Sequence, residues 1–132
     1  MGYAKLGQDS HGIHLRLYSR AVIVVDKSGN RICYITADLC GITQIVKLEV
    51  SPNQFDYFKL MNNHQVVKEL EKKYPGLYHH ENLLISATHT HSGPGGYFQY
   101  LLYIITTQGF INDSYRAIVD GIVRVIEILI QL

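Results

Sequence analysis

The hydrophobic pattern divides the chain into two β-runs, an interrupted helical stretch, a third β-run and a long closing helix. Arg20-Ala21-Val22-Ile23-Val24-Val25-Asp26 is apolar and β-branched, and Arg31-Ile32-Cys33-Tyr34-Ile35-Thr36-Ala37-Asp38 repeats that character after Lys27-Ser28-Gly29-Asn30. Two such runs about a Ser-Gly-Asn turn predict a β-hairpin. Apolar residues at Ile42, Ile45, Val46, Leu48 and Val50 then recur at helical spacing, and the period resumes over Val66–Tyr74 until Pro75-Gly76 stops it. Residues 51–65 between the two halves carry Pro52 and break the period. A structureless loop of that length is uncommon inside a domain, so the segment reads as an insertion, either a surface excursion or retained non-coding sequence. Leu83-Leu84-Ile85-Ser86-Ala87 predicts a third strand. Tyr97–Thr107 is apolar on nearly every side, which suits a buried strand or a buried helix; core packing is preferred to a role as the wall of a lipid cleft. Asn112 or Asp113 is expected to cap a helix with the stripe Tyr115, Ile118, Val119, Ile122, Val123, Ile126 and Leu129. The glycine-spaced stretch 2–12 reads as loop, and the uncapped apolar end, Ile128 to Leu132, as a chain cut in mid-fold. Alternation of β and α segments gives an α/β class, a mixed β-sheet covered by helices.

Composition narrows the picture. A chain of 132 residues with 47% hydrophobic and 17% charged residues is one domain at most and can bury a core. Its 12 basic and 11 acidic residues are interspersed, which leaves no electrostatic case for nucleic acid or an anionic membrane surface. Cys33 and Cys40 would stand roughly 23 Å apart on an extended chain, too far for a disulfide without a reversal, so two buried thiols are expected. There is no run of 18 apolar residues and no signal-peptide plan at the start, and Leu6 occupies the position where myristoylation wants Ser or Thr. Asn112-Asp113-Ser114 is a glycosylation sequon, relevant only to a secreted chain.

The chemistry concentrates where the third strand ends. His89 and His91 stand two apart, so on an extended backbone they share a face with Cα atoms roughly 6.6 Å apart. Gly93, Gly95 and Gly96 follow, with Pro94 among them, and such a loop admits close approach by a ligand. Imidazole is the commonest metal ligand and the usual general base near neutral pH; an ordinary His-x-His is more often structural, its place at a strand end before three glycines evens that balance, and zinc takes three or four protein ligands. Asp38 also ends a strand; a strand-terminal or helix-capping role is preferred for it over metal binding or acid–base duty.

Ser86-Ala87-Thr88-His89-Thr90-His91-Ser92-Gly93-Pro94-Gly95-Gly96-Tyr97-Phe98-Gln99-Tyr100 resembles the signature of the neutral ceramidases. The likeness extends to Met1-Gly2-Tyr3-Ala4-Lys5, Arg16-Leu17-Tyr18-Ser19-Arg20 and Gln108-Gly109-Phe110. In that pattern a segment like Leu48-Glu49-Val50 runs straight into one like Val66-Val67-Lys68, which again marks 51–65 as inserted. The resemblance implies that residues 1–132 are the N-terminal part of a larger catalytic domain of a zinc-dependent amidohydrolase. Such an enzyme hydrolyses N-acylsphingosine (ceramide), its lipid substrate and only contact with a membrane, to sphingosine and a fatty acid. It implies Zn2+ held by two histidines, a glutamate and a tyrosine, with His89 as the first ligand and His91 as a neighbouring catalytic residue that orients substrate or shuttles a proton. It also implies a structural Ca2+ or Mg2+ near His14, contacted through backbone oxygen. The family is secreted or membrane-associated on the extracellular side. Its second zinc histidine, glutamate, tyrosine and serine-bearing segment, and an immunoglobulin-like domain, are expected after Leu132, so this chain alone is expected to be inactive. The alternative is a non-catalytic truncated homologue or gene-model fragment, acting if at all as a binding or regulatory module.

Overall fold

The computed structural model describes residue 7, residues 11–43 and residues 65–132. Strands β1 (Ser19–Val25), β2 (Arg31–Ala37) and β3 (Leu83–Ala87) form one sheet in that order, with helices α1 (Gln65–Lys73), α2 (Leu101–Thr106) and α3 (Asn112–Ile130). β1 and β2 are the expected antiparallel hairpin, in register from Ser19↔Ala37 to Val25↔Arg31. Gly29 supplies the positive φ of 88° that the turn requires, and the Asp26 carboxylate accepts the amides of Ser28 and Asn30 at 2.8 and 2.9 Å. β3 joins β2 in parallel, Cys33↔Leu83 to Ala37↔Ala87, so both strands present their carboxyl ends to the same rim. The fold is the anticipated mixed sheet with helices.

Alternation along β2 sends Cys33, Ile35 and Ala37 into the core, where Leu83 and Ile85 of β3 meet Val66 and Leu70 of α1 and the buried stripe of α3. That stripe is Ile118, Val119, Ile122, Val123 and Ile126, as its spacing predicts, with Tyr115 and Leu129 half-buried at its ends. Lys73 of α1 pairs with Glu127 of α3. No disulfide joins the cysteines: Cys33 is fully buried, which pushes its thiol up to about 11, whereas Cys40 is only half-buried, short of the expected burial.

Among the described residues no helix covers the opposite face of the sheet. Val22, Val24, Ile32, Tyr34 and Leu84 all lie there and are exposed. Parallel pairs are usually covered on both faces, so this apolar surface is unusual for the topology. It gives a direct comparison between two isoleucines on one strand. Ile35→Val is expected to cost about 0.5–1.5 kcal/mol in urea unfolding, and Ile32→Val to stay within about 0.5 kcal/mol. Equal losses at the two positions would mean that the outer face is packed in solution.

Three expectations need correction. The stretch after the glycine loop is neither a buried strand nor a buried helix. Tyr97 is fully buried, but α2 is a single six-residue helix with no buried residue, and Leu101 is 73% exposed. A run that is apolar all round gives no direction for burial, and Thr106 and Thr107 end the helix early by turning their hydroxyls onto the carbonyls of Leu102 and Tyr103. Neither Asn112 nor Asp113 caps α3; the cap is Ile111, without a side-chain bond, its amide given to the Gly96 carbonyl at 2.7 Å. Asp113 instead sits in the first turn, where its charge suits the helix dipole. Residues 41–43 are not helical, so Asp38 caps no helix there. The helical expectation over Ile45–Val50 and the insertion at 51–65 lie outside the described residues, apart from Gln65, which opens α1. Pro75-Gly76 does stop α1, with Gly76 at φ 73°. Among the described residues no helix is long and apolar enough to cross a membrane.

Candidate functional site

β3 ends at Ala87, but its pairing to the β2 side continues for one more step on each side of a kink. The Thr88 amide donates to the Ala37 carbonyl at 3.0 Å and the Thr90 amide to that of Leu39 at 3.2 Å. Between them His89 adopts φ 62°, in the left-handed region where His is among the less disfavoured residues. Strand parity therefore does not carry through to the histidines. Had it done so, His89 and His91 would follow Leu83 and Ile85 onto the core face; the kink turns them out instead. They still converge: both are exposed, with ring centroids 5.2 Å apart and ring planes at 82°.

His89 Nδ1 lies 2.7 Å from the Cys40 carbonyl oxygen. A carbonyl only accepts, so in the neutral ring Nδ1 carries the proton and Nε2 carries the lone pair. Histidines that bind metals are commonly fixed in this way, by a carbonyl or carboxylate on the second nitrogen.

The acceptors form a continuous rail. Carbonyls of Ala37, Leu39, Cys40 and Gly41 receive, in turn, the Thr88 amide, the Thr90 amide, the His89 ring and the Tyr97 hydroxyl, the last at 3.1 Å. Burial pushes the Tyr97 phenol up to about 12, so it stays protonated as a donor at neutral pH. Phe98 stacks on Tyr103 at 4.6 Å behind it. Nothing in the sequence of 37–41 marks this rail, because main-chain atoms do the work.

Asp38 sits on the rail. Arg20 Nη1 donates to its Oδ1 at 2.9 Å and Nη2 to its Oδ2 at 3.3 Å, while the Tyr18 amide reaches Oδ2 at 3.0 Å. The preferred strand-terminal reading holds and the helix-cap one does not. Arg20's hydrogen bonds, with the Tyr18 amide second, hold this carboxyl below its ordinary value of 3.8. A lowered pKa stabilises the fold above the unfolded value, and that contribution is lost as pH falls through the depressed folded value. The Asp38 carboxyl carbon is accordingly expected to titrate below 3.8 by NMR, and Arg20→Ala to raise its midpoint. An unmoved midpoint would rule out the ion pair.

Among the described residues, two clefts flank the loop. One, of about 410 Å³, runs from Leu17–Ser19 and Asp38 past Pro94 to the first turns of α3. The other, of about 610 Å³, lies between the 12–15 segment and Ser92-Gly93-Pro94, and His14 is on its wall. Among the described residues no group of three or more His, Cys, Asp and Glu side chains is placed to hold a metal ion, so His14 is not joined to His89 and His91. Reading for charged and nucleophilic residues passes over Gln99, which is buried with no hydrogen-bond partner for either amide atom among the described residues. A buried amide left without partners costs about 1–3 kcal/mol. Its only sequence signal is its place just after the glycine loop.

Comparison with known proteins bears on what this rim belongs to. The family model described as neutral/alkaline non-lysosomal ceramidase, N-terminal, matches residues 1–130. Neutral ceramidase 1 of Arabidopsis thaliana is 42% identical over 122 residues, which are 92% of this chain and 14% of that protein. Neutral ceramidase of Pseudomonas aeruginosa is 41% identical over 128 residues, 96% of this chain and 17% of that one. The crystal structure of neutral ceramidase from Pseudomonas aeruginosa superposes with a TM-score of 0.78 at 41% identity, over 96% of this chain and 18% of that chain. This chain thus spans less than a fifth of the length of these relatives. It belongs to the neutral/alkaline non-lysosomal ceramidase family, whose N-terminal portion it matches along almost its whole length.

Proposed function

We propose that this chain is the N-terminal part of a zinc-dependent amidohydrolase that cleaves the amide of N-acylsphingosine, releasing sphingosine and a fatty acid. One observation supports this most: two imidazoles converge at 5.2 Å on the open rim beyond β3, inside the segment shared with the neutral ceramidases. The donor chemistry suits zinc at His89, whose Nδ1 is used on the Cys40 carbonyl and whose Nε2 carries the lone pair. When bound, the metal supplies Lewis acidity, a lower pKa for water and a polarised amide carbonyl. His91, at right angles beside it, is placed to orient the amide or to carry a proton to the departing amine. A structural Ca2+ or Mg2+ at the segment around His14 belongs to the same reading. With one histidine as ligand and no three-donor group among the described residues, the metal site takes its other donors from elsewhere.

The test is a graft. Pseudomonas aeruginosa neutral ceramidase carrying this chain in place of its matched segment is expected to hydrolyse a fluorescent ceramide. His89→Ala in the graft is expected to lower kcat/KM by more than the roughly 10–100-fold typical of losing a group behind a ligand. A folded, zinc-loaded graft without activity, or one indifferent to His89→Ala, would overturn the reading and favour a non-catalytic homologue.

A further inference from the structure

We propose that Asp38 is the positioning residue of the histidine pair, fixing the 37–41 rail against β1 so that the kink and ring of His89 are held in one arrangement. The proposal rests on the hydrolase reading only for its relevance to catalysis; its geometry stands alone. Among the described residues, three bonds tie His89 and its two neighbours to one short segment: the Thr88 amide to Ala37, the Thr90 amide to Leu39 and the His89 ring to Cys40. Whatever moves that segment moves the ring. Beyond Ala37 the regular β1–β2 ladder has ended, and Asp38 replaces it with a second set of ties. Its amide donates to the Tyr18 carbonyl at 2.9 Å, its Oδ2 accepts the Tyr18 amide, and both oxygens take the Arg20 guanidinium. The Thr88 side chain, one residue before His89, also favours the charged form of this carboxylate.

The guanidinium–carboxylate fork is directional as well as strong, so it sets an orientation where a single charge would set only a distance. A left-handed backbone at a residue with a Cβ is strained and persists only where its surroundings over-determine it. Asp38 supplies part of that over-determination from outside the histidine loop, without touching either imidazole.

The experiment compares the chain with Asp38→Ala, Asp38→Asn and Ile126→Val. The last is a core truncation near the Lys73–Glu127 pair and serves as a control for stability alone. The readouts are the His89 ring tautomer from nitrogen NMR and the nuclear Overhauser contact between the His89 and His91 rings, with thermal midpoints alongside. Asp38→Ala is expected to lose the dominant Nδ1–H form and the inter-ring contact, Asp38→Asn to retain part of both, and Ile126→Val to retain both while its midpoint falls. Unchanged ring signals in Asp38→Ala, or equal losses in Ile126→Val, would overturn the proposal. Where Asp38→Ala fails to fold, Arg20→Ala carries the same comparison, since it removes the fork and leaves the Tyr18 bond; unchanged signals there also overturn it. Neither zinc nor ceramide enters the measurement, so an inactive graft bears on the hydrolase reading alone.

Discussion

Gly96→Ala is expected to destabilise this chain by about 2–5 kcal/mol, combining the roughly 1–2 kcal/mol of a left-handed residue that gains a Cβ with the roughly 1–3 kcal/mol of overpacking. Gly96 sits at φ 76°, and a Cβ there would lie 2.5 Å from Ile111 Cγ1, 2.7 Å from Cδ1 and 2.8 Å from Cβ. The last of these matters most, because a Cβ cannot retreat by rotating a side chain. Ile111 is also the N-cap of α3 and gives its amide to the Gly96 carbonyl at 2.7 Å, so relieving the clash pulls on the start of the 19-residue helix that covers the core. Gly121 provides the opposite sign. It lies inside α3 with open space where a Cβ would stand, so Gly121→Ala is expected to stabilise by about 0.5–1 kcal/mol. Urea unfolding of both variants decides the matter: a Gly96→Ala protein within about 0.5 kcal/mol of the parent would mean that the loop and the helix are not coupled there.

What the sequence makes legible follows the range of the interactions involved. The Ser28-Gly29-Asn30 turn is local chemistry, and it appears with the anticipated pairing. The α3 stripe is legible because one helix carries the whole period. The convergence of His89 and His91 is legible too, but strand parity is not what produces it. Extended parity would have driven them toward the core; a single left-handed residue turns them outward, and its stability comes from carbonyls about fifty positions earlier in the chain. The rail at 37–41 has no side-chain signature, and Asp38 reads equally well as a cap until Arg20 is seen across the hairpin. For α2, uniform apolarity holds no information about direction, and the helix stands with Leu101, Leu102 and Ile105 exposed. The open sheet face was hidden for the same reason, since β-branched residues on either side of a strand look alike in sequence.

Supplied with zinc and a fluorescent ceramide, the purified 132-residue chain is expected to release no fatty acid and to bind zinc far more weakly than the roughly 10–16 kcal/mol typical of structural zinc sites. A catalytic zinc takes three protein ligands and keeps a position for water, and the described residues offer no group of three. The nearest substitutes are already committed. The Asp38 carboxylate is forked onto Arg20 and bonded to the Tyr18 amide, so recruiting it would leave a guanidinium without its partner and release the rail that holds His89. Tyr97 is buried, its hydroxyl donates to the Gly41 carbonyl, and its phenol is pushed up to about 12, all of which oppose the deprotonation that metal ligation favours. The exposed apolar face of the sheet adds a tendency to self-associate, so the assay should be run on material shown to be monodisperse. His89→Ala is the control that gives the outcome meaning. Turnover that vanishes with this substitution would show that the short chain completes a metal site from donors of its own, and would overturn the expectation that catalysis requires ligands supplied from outside this set.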